Sequence, residues 1–482
     1  MIKPRELLGT LAIGLGILAL ECGEGSGSVQ PHRESDGSAG NGGAGGSSAG
    51  SPNAGQAGTV SCDFGSAGAP AAEVRVPWDW IGVVGTGQSL AVGEHGTPVT
   101  STTQPYNNLQ LSTDDLDWPI DPDDDALEMV PLTEPIGRRA PSYPSSWPEN
   151  IANETIHSSM ANQVTALVMD TAGRDYVGVH GQFGENGQCM TYLQKGAPED
   201  GVNGRAFEAT LIATEAIARL AEAEDKTYGI GAITVIHGEC DAGNRGYEDD
   251  LVQLWTDYNT DLRELTGQPD GIQMLLSQQN STNNRSASTL AQWQVGVNHP
   301  EDIVCVGPTY QYESGDGTHL TGDGYRRLGE KFGQVYFERV VLGREWQPLQ
   351  PSSVERPSAR VLRVRFHVPV PPLVWDTTLE APHQSAPEWA EGKGFEVRAG
   401  GQSATITSVE IVCDTVEISV DSDLPDTGVT VSYALYAEPE PRTEPVPGMR
   451  RWGLLRDSDA FVGTTTEEPH PNFALAFELE VP

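Results

Sequence analysis

From Val74 to about Leu342 the chain alternates short apolar runs with stretches of helical period. The runs Ile81–Val84, Tyr176–Val179, Ala232–Ile236, Ile272–Leu276 and Ile303–Val306 are continuous and rich in β-branched residues. That is the character of strands covered on both faces. Between them, Phe207, Leu211, Thr214, Ala218 and Ala221 share one helical face. Leu251, Trp255, Tyr258, Leu262 and Leu265 do the same, with Gly267 placed to end that helix. Strand alternating with helix predicts an α/β fold with a parallel sheet, whose ligands sit beyond the carboxyl ends of the strands. Between Asp114 and Pro148 no periodicity survives, and the stretch reads as a solvated loop. Its run Asp121-Pro122-Asp123-Asp124-Asp125 lacks the spacing of an EF-hand calcium loop. After Arg344 the period changes to two: Leu362, Val364, Phe366 and Val368 alternate with Arg363, Arg365 and His367. Val416, Ile418 and Val420, then Val429 to Tyr433, repeat the theme. An antiparallel β-sandwich over residues 345–482 follows, behind an α/β domain over 74–344.

The first residues read as an address. Lys3 and Arg5 precede the apolar run Leu7–Leu20, so residues 1–22 are expected to be an export signal. Leu18-Ala19-Leu20-Glu21-Cys22 resembles a bacterial lipoprotein processing site, with Cys22 as the lipidated residue. Glu21 stands where that pattern has a small residue, so lipid attachment and plain secretion both stay open. Residues 23–60 are mostly Gly, Ser and Ala and form a tether that cannot bury enough surface to fold. If Cys22 is lipidated, Cys62, Cys189, Cys240, Cys305 and Cys413 remain, an odd number that leaves a thiol unpaired.

Charge narrows the partners. The chain of 482 residues has 29 Lys+Arg against 68 Asp+Glu, a net charge of −39. Such a surface repels phosphate backbones, so nucleic acid is excluded as a partner. The longest apolar run is too short to cross a hydrocarbon layer of roughly 30 Å, so a membrane is reached only through a lipid on Cys22.

Four features fall where a hydrolase needs them. Gly85-Thr86-Gly87-Gln88-Ser89 follows the first strand directly, and the glycines let a turn set Ser89 at the strand end with its N–H free for an oxyanion. Taken alone, such a serine is more often a helix N-cap. Gly181-Gln182-Phe183-Gly184-Glu185-Asn186-Gly187 follows the second strand and offers further free N–H groups, or is an ordinary loop. His237-Gly238-Glu239-Cys240-Asp241 ends the third, where a carboxylate either orients a base or caps a helix. Asp316-Gly317-Thr318-His319 lies late in the chain. A carboxylate three residues before a histidine can turn back onto one ring nitrogen and leave the other to accept a serine proton. Its plainer reading is a polar turn with Thr321 as N-cap.

In that order the four blocks resemble the SGNH (GDSL-like) hydrolase superfamily, nearest to its sialate O-acetylesterase and acetylxylan-esterase branch, over about Val76 to Leu342. The resemblance implies a flavodoxin-like α/β fold and hydrolysis of esters, most often acetyl esters of sugars. Carried over by motif, Ser89 is the nucleophile, His319 the base and Asp316 the orienting acid, with the N–H groups of Ser89 and Gly187 as the oxyanion hole. Some relatives use the glutamate of the third block instead, so Glu239 competes with Asp316. His237 stands where the branch often has glutamine, and Cys240 where it has serine. Since the second and third blocks converge in such a fold, a Cys189–Cys240 disulfide is expected. Neither His-Glu-x-x-His nor Cys-x-x-Cys occurs, so no metal or cofactor is expected. The expected partner is an acetylated carbohydrate. A lipid or thioester hydrolase of the same superfamily is a second reading, and a carbohydrate-binding or adhesion module on a retired hydrolase fold a third. Trp452 and its neighbours, late in the second domain, could stack on sugars or belong to the core.

Overall fold

The computed structural model describes Cys62 and residues 73–482 apart from 114–115, 141–146, 197–203, 283–284, 383–390 and 437–450. The expected export signal, Cys22 and nearly all of the tether lie outside the described residues. In chain order the α/β part is β1 (Trp80–Gly87), β2 (Leu109–Ser112), β3 (Glu128–Pro131), α1 (His157–Ala172), β4 (Gly178–Gln182), α2 (Met190–Leu193) and α3 (Arg205–Ala223). It continues with β5 (Tyr228–Ile236), α4 (Tyr247–Thr266), β6 (Gln273–Gln278), α5 (Ala287–Asn298), β7 (Ile303–Pro308) and α6 (Gly322–Tyr336).

Seven strands make one sheet in the order β3-β2-β4-β1-β5-β6-β7. Every pairing is parallel except β2 with β3. Its five-strand centre, β4-β1-β5-β6-β7, is the flavodoxin-like order, in which the chain reverses direction of growth beside β1. β1 and β5 are buried at every residue, as continuous apolar runs covered by helices on both faces require. α4 buries Tyr247, Leu251, Leu254, Tyr258 and Leu262, and Gly267 ends it in a left-handed conformation, φ 67°. The apolar face is rotated from the expected one: Leu254 is inside, Trp255 only partly so, and Leu265 exposed.

The stretch from Asp114 to Pro148 is not the solvated loop its composition suggests. β3 lies within it, and Ile120 and Leu127 form a small buried cluster with Ala216 of α3. The acidic run is a pair of turns, Asp121 and Asp124 each accepting a backbone N–H two residues on, with Arg219 donating to the carbonyls of Pro122 and Asp124.

The C-terminal part is all β: β8 (Gln350–Ser358), β9 (Val361–His367), β10 (Val374–Trp375), β11 (Phe395–Ala399), β12 (Gln402–Ala404), β13 (Ile406–Val412), β14 (Thr415–Val420), β15 (Val429–Tyr433), β16 (Leu455–Arg456) and β17 (Phe477–Glu480). Two antiparallel four-stranded sheets, β12-β11-β15-β17 and β13-β14-β9-β8, carry most of it. On β9, Leu362, Val364 and Phe366 are buried and Arg363, Arg365 and His367 exposed, the alternation the sequence shows. Phe366 meets Phe395 and Phe477 of the other sheet at ring distances of 6.4 and 5.9 Å, so the sheets share one aromatic core. Trp452 is buried, its indole N–H donating to the Glu380 carbonyl, and so belongs to that core.

One apolar cluster runs unbroken from β1 to β17. Disulfides join Cys62 to Cys413 and Cys189 to Cys240, while Cys305 is a buried free thiol. The second pairing is the expected one. No helix among the described residues is long and apolar enough to cross a membrane.

Candidate active site

Four of the motifs hang from the carboxyl ends of β1, β4, β5 and β7, which brings residues 89, 187, 239 and 319 to one edge of the sheet. Gly87 makes the first turn possible: its φ is +140°, and a Cβ there would sit 2.0 Å from the Ile236 carbonyl. The chain is pinned by Gln88 N–H donating to that same carbonyl. Only a turn follows Ser89, not a helix, so the N-cap reading fails.

The Asp316–His319 segment folds onto itself. Asp316 Oδ1 accepts the backbone N–H groups of Thr318 and His319 at 2.8 and 2.7 Å, and its Oδ2 meets His319 Nδ1 at 2.8 Å. His319 Nε2 lies 2.9 Å from Ser89 Oγ. With the carboxylate accepting from Nδ1–H, the neutral ring presents a lone pair on Nε2 to the serine hydroxyl. Partial burial alone would raise the Asp316 carboxyl, but the N–H and ring of His319 and the Thr318 N–H outweigh it and hold it below its usual range. Thr321 is also a helix cap, accepting the Gly324 N–H at the start of α6, as the plainer reading of this motif has it.

Glu239 meets different partners. Its Oε1 accepts from Ser281 Oγ, its Oε2 is buried without a hydrogen bond, and no hydrogen bond joins it to His319 among the described residues. Burial pushes its carboxyl up.

The second block is clamped from two sides. Phe183 and Glu185 N–H groups donate to the carbonyls of Gly85 and Gly87, fixing it to the β1 turn. On the far side, His237 Nε2–H donates to the Gln188 carbonyl at 3.0 Å, and Nδ1 accepts from the Tyr247 hydroxyl at 2.7 Å. Asp241 Oδ2 accepts the Met190 N–H, and the Cys189–Cys240 disulfide lies between these two links. His237 therefore ties two loops together, a role the motif alone does not reveal. Gly187, between the clamps, has φ +72° and a side open to space. Neither its N–H nor that of Ser89 donates to any described residue.

His95 completes the edge and is absent from every motif. It follows Ser89 by six residues, its ring centre 5.0 Å from that of His319 and its Nδ1 3.6 Å from Asp316 Oδ2.

No family model matches this sequence, and no curated protein does. Among solved structures, a carbohydrate acetylesterase from Xanthomonas citri superposes with a TM-score of 0.50 at 12% identity, over 83% of this chain and 80% of that one. At that identity the likeness shows a shared fold, and it runs through both the α/β and the β parts. A protein from Arabidopsis thaliana matches with a TM-score of 0.39 at 16% identity, over 55% of this chain and all of that one. NanS matches with a TM-score of 0.35 at 10% identity, over 54% and 96%. The fold is an α/β one with an antiparallel β region behind it, shared in outline with the Xanthomonas citri protein.

Proposed function

We propose that this chain is a serine esterase that removes O-acyl groups, acetyl foremost, from carbohydrate, in the manner of the sialate O-acetylesterase and acetylxylan-esterase branch. The observation that carries the reading is the unbroken pair of contacts from Asp316 to His319 to Ser89, at 2.8 and 2.9 Å. The fold shared with a carbohydrate acetylesterase supports it. Ser89 Oγ attacks the ester carbonyl as His319 Nε2 takes its proton, and Asp316 stabilises the imidazolium. The oxyanion is received by the N–H groups of Ser89, on the β1 turn, and Gly187, in the clamped second block, neither of which donates to another described residue. His319 returns the proton to the departing sugar hydroxyl, and water attacks the acyl-serine by the reverse route. Residues 74–344 would be the hydrolase domain and 345–482 its β-sandwich. The leader and tether would place both outside the cytoplasm, by secretion or by a lipid on Cys22, which suits two disulfides.

The test is acetate release from acetylated xylan and from O-acetylated sialic acid, comparing wild type with Ser89→Ala. Wild type releases acetate from at least one, and the substitution lowers the rate by about 10³-fold or more. No release from either, or from a small aryl acetate, sinks the reading.

A further inference from the structure

His95 stands in the left-handed conformation that few non-glycine residues adopt, with φ +58°. The loop over-determines it: Glu94 N–H donates to the Ser89 carbonyl, Tyr325 hydroxyl to the Glu94 carbonyl, and Thr97 N–H to the His95 carbonyl. The ring is thereby held against the Asp316–His319 pair, with half of its side chain exposed.

One nitrogen of His95, one of His319 and one oxygen of Asp316 lie within 4.8 Å of one another. Tetrahedral zinc, with bonds of about 2.0–2.1 Å, needs donors about 3.3 Å apart. The two measured separations, 2.8 Å for His319 Nδ1 and 3.6 Å for His95 Nδ1 from Asp316 Oδ2, fall on either side of that value. Two imidazoles and one carboxylate are the donor set of a borderline-soft cation and suit neither Mg²⁺ nor Ca²⁺, which want oxygen. The Asp316 side chain is 35% exposed and the molecule carries a charge of −39, so a cation is attracted and can enter.

We propose that His95, Asp316 and His319 bind a divalent transition-metal ion of the Zn²⁺ or Cu²⁺ class, and that this ion switches off the Ser89 centre. Its inhibitory half rests on the esterase reading; the binding half does not. Coordination uses the Nδ1 lone pair of His319, so the neutral ring moves its one proton from Nδ1 to Nε2. Nε2 then donates toward Ser89 and cannot take its proton, while the Asp316 oxygen is spent on the metal. The centre is left with the wrong tautomer, and no proton is gained or lost overall. Removing the metal restores the original tautomer.

The experiment is calorimetric titration of the full chain with ZnCl₂, alongside His95→Asn and Ser89→Ala. Asparagine tolerates positive φ, so the variant keeps the loop. Wild type and Ser89→Ala bind one zinc at this site with similar affinity, and His95→Asn binds it at least about tenfold more weakly. Hydrolysis by wild type falls as zinc saturates the site, Cu²⁺ acts at lower concentration than Zn²⁺, and Mg²⁺ has no effect. His95→Asn, judged against its own metal-free rate, needs at least about tenfold more zinc. Zinc held as tightly by His95→Asn as by wild type, or not held by wild type at all, overturns the proposal. Binding without any hydrolysis in either protein would instead count against the esterase reading alone.

Discussion

Asp316 and Glu239 are the two carboxylates that could orient His319, and their surroundings separate them. Asp316 is tied to the ring and to two backbone N–H groups, whereas Glu239 is turned to Ser281. Asp316→Asn replaces an acceptor by a group that favours the wrong tautomer, so kcat falls by about 10³- to 10⁴-fold with little change in KM. Glu239→Gln leaves the chain of contacts intact and costs no more than about tenfold. Steady-state kinetics on an aryl acetate decides between them, and the reverse ranking would make Glu239 the acid. That Asp316 turns back onto His319, and that Ser89 sits at a strand end, was legible because each lies in a short local motif whose spacing carries its geometry. His95 was not: its approach depends on a left-handed residue and on a loop from the other end of the chain. Metal-ligand spacing along a sequence likewise says nothing of donors 221 and 224 residues apart.

The elements that carry the site are the strand ends, and the continuous apolar runs marked all five central strands. β2 and β3 escaped because each is only four residues long, β3 at the sheet edge and β2 beside it, too short for a pattern. α6 follows His319 and faces backwards into the β region through Glu330, whose carboxylate accepts from the backbone and side chains of Thr465 and Thr466 and from His470 Nε2. Burial alone would raise this carboxyl, but those donors hold it down to about 2. A depressed carboxyl stabilises the fold above its unfolded value, near 4.5, and that contribution is lost as pH falls toward about 2. A shift of this size is worth on the order of 3 kcal/mol. Glu330→Gln should therefore lose on the order of 3 kcal/mol in urea unfolding at pH 7, with the gap to wild type closing below about pH 4.5. A gap that stayed constant down to about pH 2.5 would mean the carboxylate charge contributes nothing.

At the scale of the whole molecule the two parts are one body. Arg451, entirely buried, reaches from the β region to the Gln279 carbonyl and Thr289 Oγ1, behind the β6 loop that carries Ser281. Burial lowers its guanidinium to about 9, offset in part by the charge of Glu239, so the β region contributes to the electrostatics beneath the third block. Lys331 of α6 donates to the His470 carbonyl, and Gln278 bonds Ala476 of the β region in both directions. The change from helical to alternating period showed where the architecture changes, near Arg344. It could not show this joint, because the sequence pattern reports which face is apolar and not what covers it. Trp452 is a case in point: it is buried, and its indole N–H donates to the carbonyl of Glu380, far away in the chain.

The central claim is that Ser89 is a nucleophile activated through His319, and it can be tested without knowing the sugar. The full chain is treated with an alkyl fluorophosphonate and digested, and the modified peptide is sequenced by mass spectrometry. One adduct per chain, on Ser89 in wild type and lost in His319→Ala, is the predicted result. An adduct elsewhere, no adduct, or equal labelling of the His319→Ala protein would contradict it.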